Sequence, residues 1–282
     1  MKTNLTVVIP TLNNIKGINY LKKYFKDKSY EIEIADNTKI NLGFAGGVNS
    51  VGLREEVNTK WLLIVNDDIE FKDKISNNKS QITNKYQITN IKYQNTIEKL
   101  IFWAEENKLD AVTPVLRNPD GKVENYGYRL LPKGKIELSL LPPRFSDGEP
   151  SPRLRRSYGG QAKPRRMKEE VDGITAACLL IKTEVFKKLG GFDESFFAYL
   201  EDVDFFLRFK KAGYKMGIAP VEVLHNHMTT SKTMGNFKAK QDMINWWRLY
   251  FKHPDKFKFN LEFIIERLRN VAGFVKASFN IK

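Results

Sequence analysis

Three carboxylates stand within four residues at Glu201, Asp202 and Asp204, directly after the aromatic run Phe196-Phe197-Ala198-Tyr199-Leu200 and just before Phe205 and Phe206. Acids are seldom set among aromatic side chains without a partner, so one reading of this segment is a chemical site. The other reading is local: acids favour the positive end of a helix, here one running from Glu201 to Ala212 through Phe205, Phe206 and Phe209. Further polar groups close apolar segments elsewhere. Asp36 ends Glu31–Ala35, Asn66-Asp67-Asp68 end Trp61–Val65, Asp172-Gly173 precede Ile174–Ile181, and His225-Asn226-His227 follow Tyr214–Leu224. A solvated turn accounts for any one of these, but several together point to a shared crevice.

A hard divalent cation needs oxygen ligands, and a short acidic turn at a strand end can supply them beside a diphosphate. A histidine can complete the set if the ion is manganese, which leaves His225 and His227 as alternatives. His253, in Lys252-His253-Pro254, reads as a loop residue. Cys178 is the sole cysteine and lies in an apolar run, so it reads as a buried structural thiol rather than a nucleophile.

The elements that must position these groups follow from periodicity. Leu5–Pro10 reads as a buried strand, then a helix through Tyr20-Leu21 to Phe25, the alternating strand Glu31–Asn37, a helix from Gly43 to about Glu56, and the strand Lys60–Asp68. This alternation predicts an α/β fold with a mostly parallel sheet covered by helices on both faces, whose ligands bind beyond the carboxyl ends of the strands. Residues 72–95 are polar and partly repetitive, which marks an insertion. A helix at Thr96–Asn107 and a strand at Asp110–Leu116 resume the pattern, and the Pro- and Arg-rich stretch 142–169 reads as a long basic loop. A strand at Ile174–Ile181, a helix at Thr183–Leu189 and one or two strands over Tyr214–His225 complete a domain of residues 1–230. Residues 231–282 form a helical extension whose apolar residues from Leu261 to Phe279 fall at helical spacing, fit either for packing on the domain or a second subunit or for lying on a membrane surface.

A chain of 282 residues, 41% hydrophobic, can bury a large core, and its net charge of +14 attracts phosphates on a nucleotide, an anionic lipid or a nucleic acid. The sequence lacks the aromatic strand motif of RNA-binding modules and any zinc-type cysteine/histidine pattern, which argues against nucleic acid. No signal-peptide pattern and no apolar run of membrane-spanning length is present, so a cytoplasmic location is expected, with peripheral contact at the inner face of the cell membrane through the basic segments.

The ordered set Val7–Thr11, Ile34–Asn37, Asn41–Asn49, Asn66–Asp68, Gly173–Ile181, Gly190–Glu194 and Phe197–Asp204 resembles glycosyltransferase family 2, and its rhamnosyltransferase-like branch in particular. The match runs from about Leu5 to His227. The resemblance implies a GT-A fold, a nucleotide-sugar donor, a divalent metal (Mn2+ or Mg2+) and inversion at the anomeric carbon. It further implies that Asp36 contacts the base or ribose, and that Asn41, Gly43, Phe44, Gly47 and Asn49 cover the nucleotide. Pro10, Thr11, Asn66, Asp67 and Gly173 would complete the nucleotide-sugar site. By the same resemblance, Asp68 and His225 hold the metal or diphosphate, Asp202 is the general base and Glu201 assists the acceptor.

Within this branch dTDP-rhamnose is the favoured donor, UDP-sugars stay open, and the acceptor is a glycan or lipid-linked oligosaccharide of cell-surface polysaccharide synthesis. Two departures bear on this: Asn66 stands where the stricter motif has an acid, and the 72–95 insertion follows the metal strand directly. A sugar nucleotidyltransferase would need a Gly/Arg-rich phosphate loop after the first strand, where Pro10-Thr11-Leu12-Asn13-Asn14 stands instead. A catalytically silent binding homologue would not need both Asp68 and Asp202.

Overall fold

Every residue of β1 (Leu5–Thr11) and β3 (Trp61–Val65) is buried, the mark of central strands covered on both faces. A computed structural model describes residues 4–26, 28–71, 95–125, 127–139, 171–226 and 235–279. The expected 72–95 insertion, apart from Asn95, the 142–169 loop and His227 lie outside these residues.

β1 pairs in parallel with β2 (Glu31–Asp36) on one side and β3 on the other. β9 (Cys178–Lys182) then runs antiparallel between β3 and β5 (Ala111–Arg117). β10 (Met216–His225) lies parallel to β5 and carries β4 (Ile69–Phe71) antiparallel at its far edge. β6 (Val123–Asn125) hangs from β5, which completes an eight-stranded sheet. β7 (Tyr128–Leu131) and β8 (Lys135–Leu138) form a separate hairpin.

Helices cover both faces. On one, Val8, Leu62, Ile64 and Leu179 pack with Val48 of α2 (Gly43–Gly52), Phe186 of α4 (Thr183–Lys188) and Phe205 and Phe209 of α5 (Glu201–Lys211). On the other, Val7, Ile9, Leu63 and Val65 meet Leu21 and Phe25 of α1 (Ile15–Phe25) and Ile97 and Leu100 of α3 (Thr96–Glu106). A third cluster joins Tyr128, Phe196, Leu200 and Leu207 to Trp246 and Leu249 of α6 (Gly235–Lys252) and Phe263 of α7 (Leu261–Ser278). α6 therefore seats the tail on α5 and the hairpin. α7 buries only Phe263 and Arg267, while Leu261, Leu268 and Phe279 face outward.

The mixed, mostly parallel sheet matches the expected fold class, with three local corrections. The strand expected from Ile174 starts at Cys178, because residues 174–177 turn across the end of β3 and the Ala177 carbonyl accepts the Asn66 N–H at 2.8 Å. α2 stops at Gly52, whose Cα lies so close to Phe186 that an added Cβ would sit 2.8 Å from the ring. The tail is two helices, broken at His253-Pro254, where proline cannot continue the ladder.

Candidate active site

The edge where β1, β2 and β3 end carries the first group of predicted residues. Pro10 and Thr11 lie opposite Ala35 and Asp36 in the β1–β2 register. Thr11 Oγ1 donates to Asp67 Oδ2 at 2.6 Å, and Asn14 Nδ2 donates to the Asp67 carbonyl at 3.0 Å and to Oδ1 at 3.2 Å. Burial pushes the Asp67 carboxyl up, outweighing these bonds. Asp67 thus fastens the β1–α1 turn to the end of β3, and a Cβ on Gly17 would stand 1.7 Å from the Asp67 carbonyl oxygen. Asp36 projects to solvent, and the hydrogen bond its carboxylate accepts from the Thr38 N–H (2.9 Å) holds it below the ordinary carboxylate range.

Asp68 and His225 meet because β4 returns along β10: the Asn226 N–H donates to the Asp68 carbonyl at 2.9 Å, and His225 lies opposite Ile69. His225 Nε2 is 3.3 Å from Asp68 Oδ1, and its Nδ1 is 2.8 Å from Glu124 Oε2. Burial alone would lower the ring's pKa, but the two carboxylates outweigh it and raise it to about 9. Glu124 behind a ring that faces Asp68 is the arrangement that orients a metal-binding histidine. Nearby, Asn66 Oδ1 is buried without a hydrogen-bond partner among the described residues.

Tested against a divalent cation, this donor set fits in part. One carboxylate, one imidazole and a spare amide oxygen are suitable oxygen and nitrogen donors, but the described residues contain no cluster of three acidic, histidine or cysteine ligands. Mg2+ or Mn2+ held by so few protein groups relies on substrate phosphates and water for the remainder. A cation taking Nε2 would also release the proton held there.

The glycine-rich loop packs directly on the acidic segment. Asn41 Oδ1 accepts the Gly43 N–H at 3.0 Å, and the Phe44 N–H donates to the Phe197 carbonyl at 2.7 Å. Gly43 has φ +71°, and a Cβ there would lie 2.2 Å from the Phe197 oxygen. Gly47 similarly leaves room for the Asn37 amide, which donates to the Gly43 carbonyl at 3.0 Å. Asn49 is buried and exchanges hydrogen bonds with both backbone groups of Phe192 (2.8 and 3.0 Å), so its amide is occupied inside the fold.

Glu201 and Asp202 open α5. Glu201 is only 8% exposed and its Oε2 has no hydrogen-bond partner among the described residues. Asp202 is half-buried, and the backbone N–H groups of Val203 and Ala176 favour its charged form. Desolvation raises both carboxyls above their ordinary range, and the Asp202 charge raises Glu201 further. Ala176, whose N–H favours the charged form of Asp202, is followed by Ala177, whose carbonyl accepts the Asn66 N–H at 2.8 Å. Tyr128 supports the pair from below, its hydroxyl donating to the Asp202 carbonyl at 3.3 Å. Gly173 is required there, since a Cβ would fall 2.0 Å from that hydroxyl.

Asp204 faces elsewhere. It is fully buried and bonds His253 Nε2 at 2.8 Å, Lys252 Nζ at 2.9 Å and Arg208 Nε at 2.9 Å. The loop reading of His253 is right for its backbone and wrong in what it suggests for its side chain, which is buried on α5. Glu124, Tyr128, Asn245 and His253 escape sequence reading because their partners lie far along the chain. The one available signal was the run of three acids at 201–204, which needed three sets of partners.

The mixed, mostly parallel sheet flanked by helices is that of a GT-A fold. The family described as the N-terminal domain of galactosyltransferase matches residues 158–232. An N-acetylglucosaminyl-diphospho-decaprenol L-rhamnosyltransferase from Mycobacterium tuberculosis is 34% identical over 152 residues, 49% of this chain and 48% of the relative. A low-salt glycan biosynthesis hexosyltransferase, Agl10 from Haloferax volcanii, is 27% identical over 192 residues, 66% of this chain and 49% of the relative. The chain therefore spans about half the length of the curated relatives it matches. Its fold is similar to that of the mannosyltransferase PcManGT from Pyrobaculum calidifontis, solved with GDP-Man and Mn2+, at a TM-score of 0.50, 13% identity and coverage of 99% of this chain and 74% of the other. Over about half its length the chain is similar to a rhamnosyltransferase, and its fold is that of GT-A glycosyltransferases.

Proposed function

We propose that this protein is an inverting glycosyltransferase that moves a sugar from a nucleotide-sugar donor to a glycan or lipid-linked acceptor in cell-surface polysaccharide synthesis, with residues 1–230 as its catalytic unit. The observation that carries the reading is the pair of acidic stations on separate elements, Asp68–His225 at the β3–β4 and β10 ends and Glu201–Asp202 at the start of α5. A one-step inverting transfer needs one station at the leaving diphosphate and another at the attacking hydroxyl.

The Asp202 carboxylate takes the proton of the acceptor hydroxyl as its oxygen bonds to the anomeric carbon, while the bond from that carbon to the diphosphate oxygen breaks. General-base assistance of this kind contributes ~10²–10⁴ in rate. Glu201, its carboxyl pushed up by burial, offers the acceptor a hydrogen-bonding partner. Asp68, with His225 held by Glu124, would bind Mn2+ or Mg2+, which supplies neutralisation of charge on the departing diphosphate. Asn41 and the start of α2 at Gly43, Phe44 and Gly47 cover the nucleotide, Asn49 supports them from inside the fold, and Asp36 reaches the base or ribose. dTDP-rhamnose is the favoured donor, in keeping with the rhamnosyltransferase relative, and that relative's diphospho-decaprenol substrate favours a lipid-linked acceptor.

The test is a thermal-shift screen of dTDP-rhamnose, UDP-hexoses and UDP-galactofuranose, with and without Mn2+, followed by donor hydrolysis and transfer assays. The expected result is a metal-dependent rise in melting temperature with at least one nucleotide sugar, since a ligand that binds only the folded state stabilises it. A protein that no nucleotide sugar stabilises and that hydrolyses none would refute the reading.

A further inference from the structure

The backbone leading into the Glu201–Asp202 pair is strained. Phe197, Tyr199 and Leu200 adopt φ values of +54°, +66° and +68°. Non-glycine residues in this region are strained and persist only where the surroundings enforce them. Leu200 immediately precedes α5, so its conformation sets the direction in which Glu201 and Asp202 leave the turn.

What enforces it lies outside the catalytic sheet. The Phe197 carbonyl is held by the N–H groups of Phe44 and Ala45, and the Leu200 carbonyl by the N–H of Asp204. The carbonyls of Phe196, Ala198 and Tyr199 all converge on one atom, Asn245 Nδ2 of α6, at 3.0, 2.9 and 2.8 Å. Asn245 is fully buried, and Arg248 Nη1 donates to its Oδ1 at 2.8 Å. That contact fixes the amide so that its donors face the three carbonyls, since the opposite orientation would set oxygen against oxygen. A hydrophobic residue there would leave the Ala198 and Tyr199 carbonyls without this donor and the Phe196 carbonyl with only the Ala198 N–H, and polar groups that lose their partners on folding are costly.

We propose that Asn245 is a positioning residue for the Glu201–Asp202 pair, so that α6 completes the acceptor side of the active site. This rests on the reading that one of these carboxylates is the base. Asn245 touches no reacting atom. It holds the strained turn that aims the pair, and displacements of about 1 Å at a reacting centre can cost ~10² in rate.

The experiment uses the full chain, with Mn2+ and the donor whose hydrolysis the wild type catalyses, and compares Asn245→Ala, Arg248→Met and each on an Asp202→Asn background. Asn245→Ala is expected to lower kcat ~10- to 100-fold while the donor KM and the affinity for the free nucleoside diphosphate stay within about twofold. Arg248→Met, which leaves the amide in place but unoriented, moves kcat in the same direction by less and carries the test if Asn245→Ala does not fold. On the Asp202→Asn background the Asn245 change should add little, because both act through one group. If Asp202→Asn alone stays active while Asn245→Ala does not, the base moves to Glu201 and the positioning role stands. Unchanged kcat per folded molecule in both α6 variants, or a parallel loss of nucleotide affinity, overturns it.

Discussion

Asp204→Asn should unfold the protein more easily without disabling its chemistry. The carboxylate is fully buried and satisfies three cationic or protonatable groups from two helices, at 2.8 to 2.9 Å. Burial alone would raise its pKa, but His253, Arg208 and Lys252 together hold it below the ordinary range. The asparagine keeps shape and one acceptor but loses the charge. Removing one member of a buried ionic cluster costs ~3–5 kcal/mol. Lys252 and Arg208 remain 33% and 21% exposed, so water compensates them in part, and ~2–4 kcal/mol is the better figure. For a chain of this size that is roughly 5–10 °C in Tm. Because the native pKa is depressed, the stabilisation is present above the unfolded value near 4 and is lost as pH falls through the lower native value. Urea unfolding at pH 7 and at pH 3 measures both. The wild-type minus variant difference should shrink at the lower pH, while turnover per folded molecule changes by less than about threefold. A pH-independent loss below about 1 kcal/mol, or normal stability with lost turnover, would refute the reasoning.

Asp202→Asn should lower transfer by ~10² or more with little change in donor affinity, and near-normal transfer would move suspicion to Glu201. Because burial raises Asp202 and only its ionised form can accept a proton, the acid limb of kcat/KM should lie above ~4, the ordinary aspartate value; a limb at or below that value argues against Asp202 as base. Asp68→Ala should abolish the Mn2+ dependence of nucleoside diphosphate binding, and equal calorimetric affinity with and without chelator would defeat the metal assignment. Gly17→Ala forces a Cβ into the Asp67 carbonyl and should cost ~1–3 kcal/mol, read by urea unfolding. The outward apolar residues of α7, with the basic segments, should draw the protein to anionic vesicles by about 1 kcal/mol per cation near the surface; sedimentation with no preference for anionic over neutral vesicles would leave this face without a membrane role.

The alternation of strands and helices up to Asp68 was legible because both faces of the sheet are covered, which makes Leu5–Pro10 and Trp61–Val65 unbroken apolar runs. Asp68 and His225 were legible as strand-end groups, and the structure joins them. The direction of β9 was not, since an apolar run reads the same either way and its reversal depends on pairing with β3 and β5. Its late start at Cys178 reflects the bond that the Ala177 carbonyl accepts from the N–H of Asn66, a residue far off in sequence. Asn245 looks like any polar residue of an amphipathic helix until the three carbonyls it serves are placed around it. Helix spacing could assign Asp204 to a face different from that of Asp202, but could not supply His253 as its partner.

The antiparallel insertion of β9 also bears on how the chain can change in length. Cys178 pairs with Val65, so both the 72–94 and the 140–170 stretches lie within one loop closed by that pairing. Closing a flexible loop costs only about 0.6 kcal/mol more for each doubling of its length. A change in the number of residues between Val65 and Cys178 therefore adds little to the closure entropy of this pairing, whereas the rate of forming the β3–β9 contact pays the entropy of the long closure first. Both stretches adjoin residues of the proposed site, at β4 and at Asp172-Gly173. The fold thus leaves the number of residues beside the proposed site free to vary while the strands beneath stay fixed.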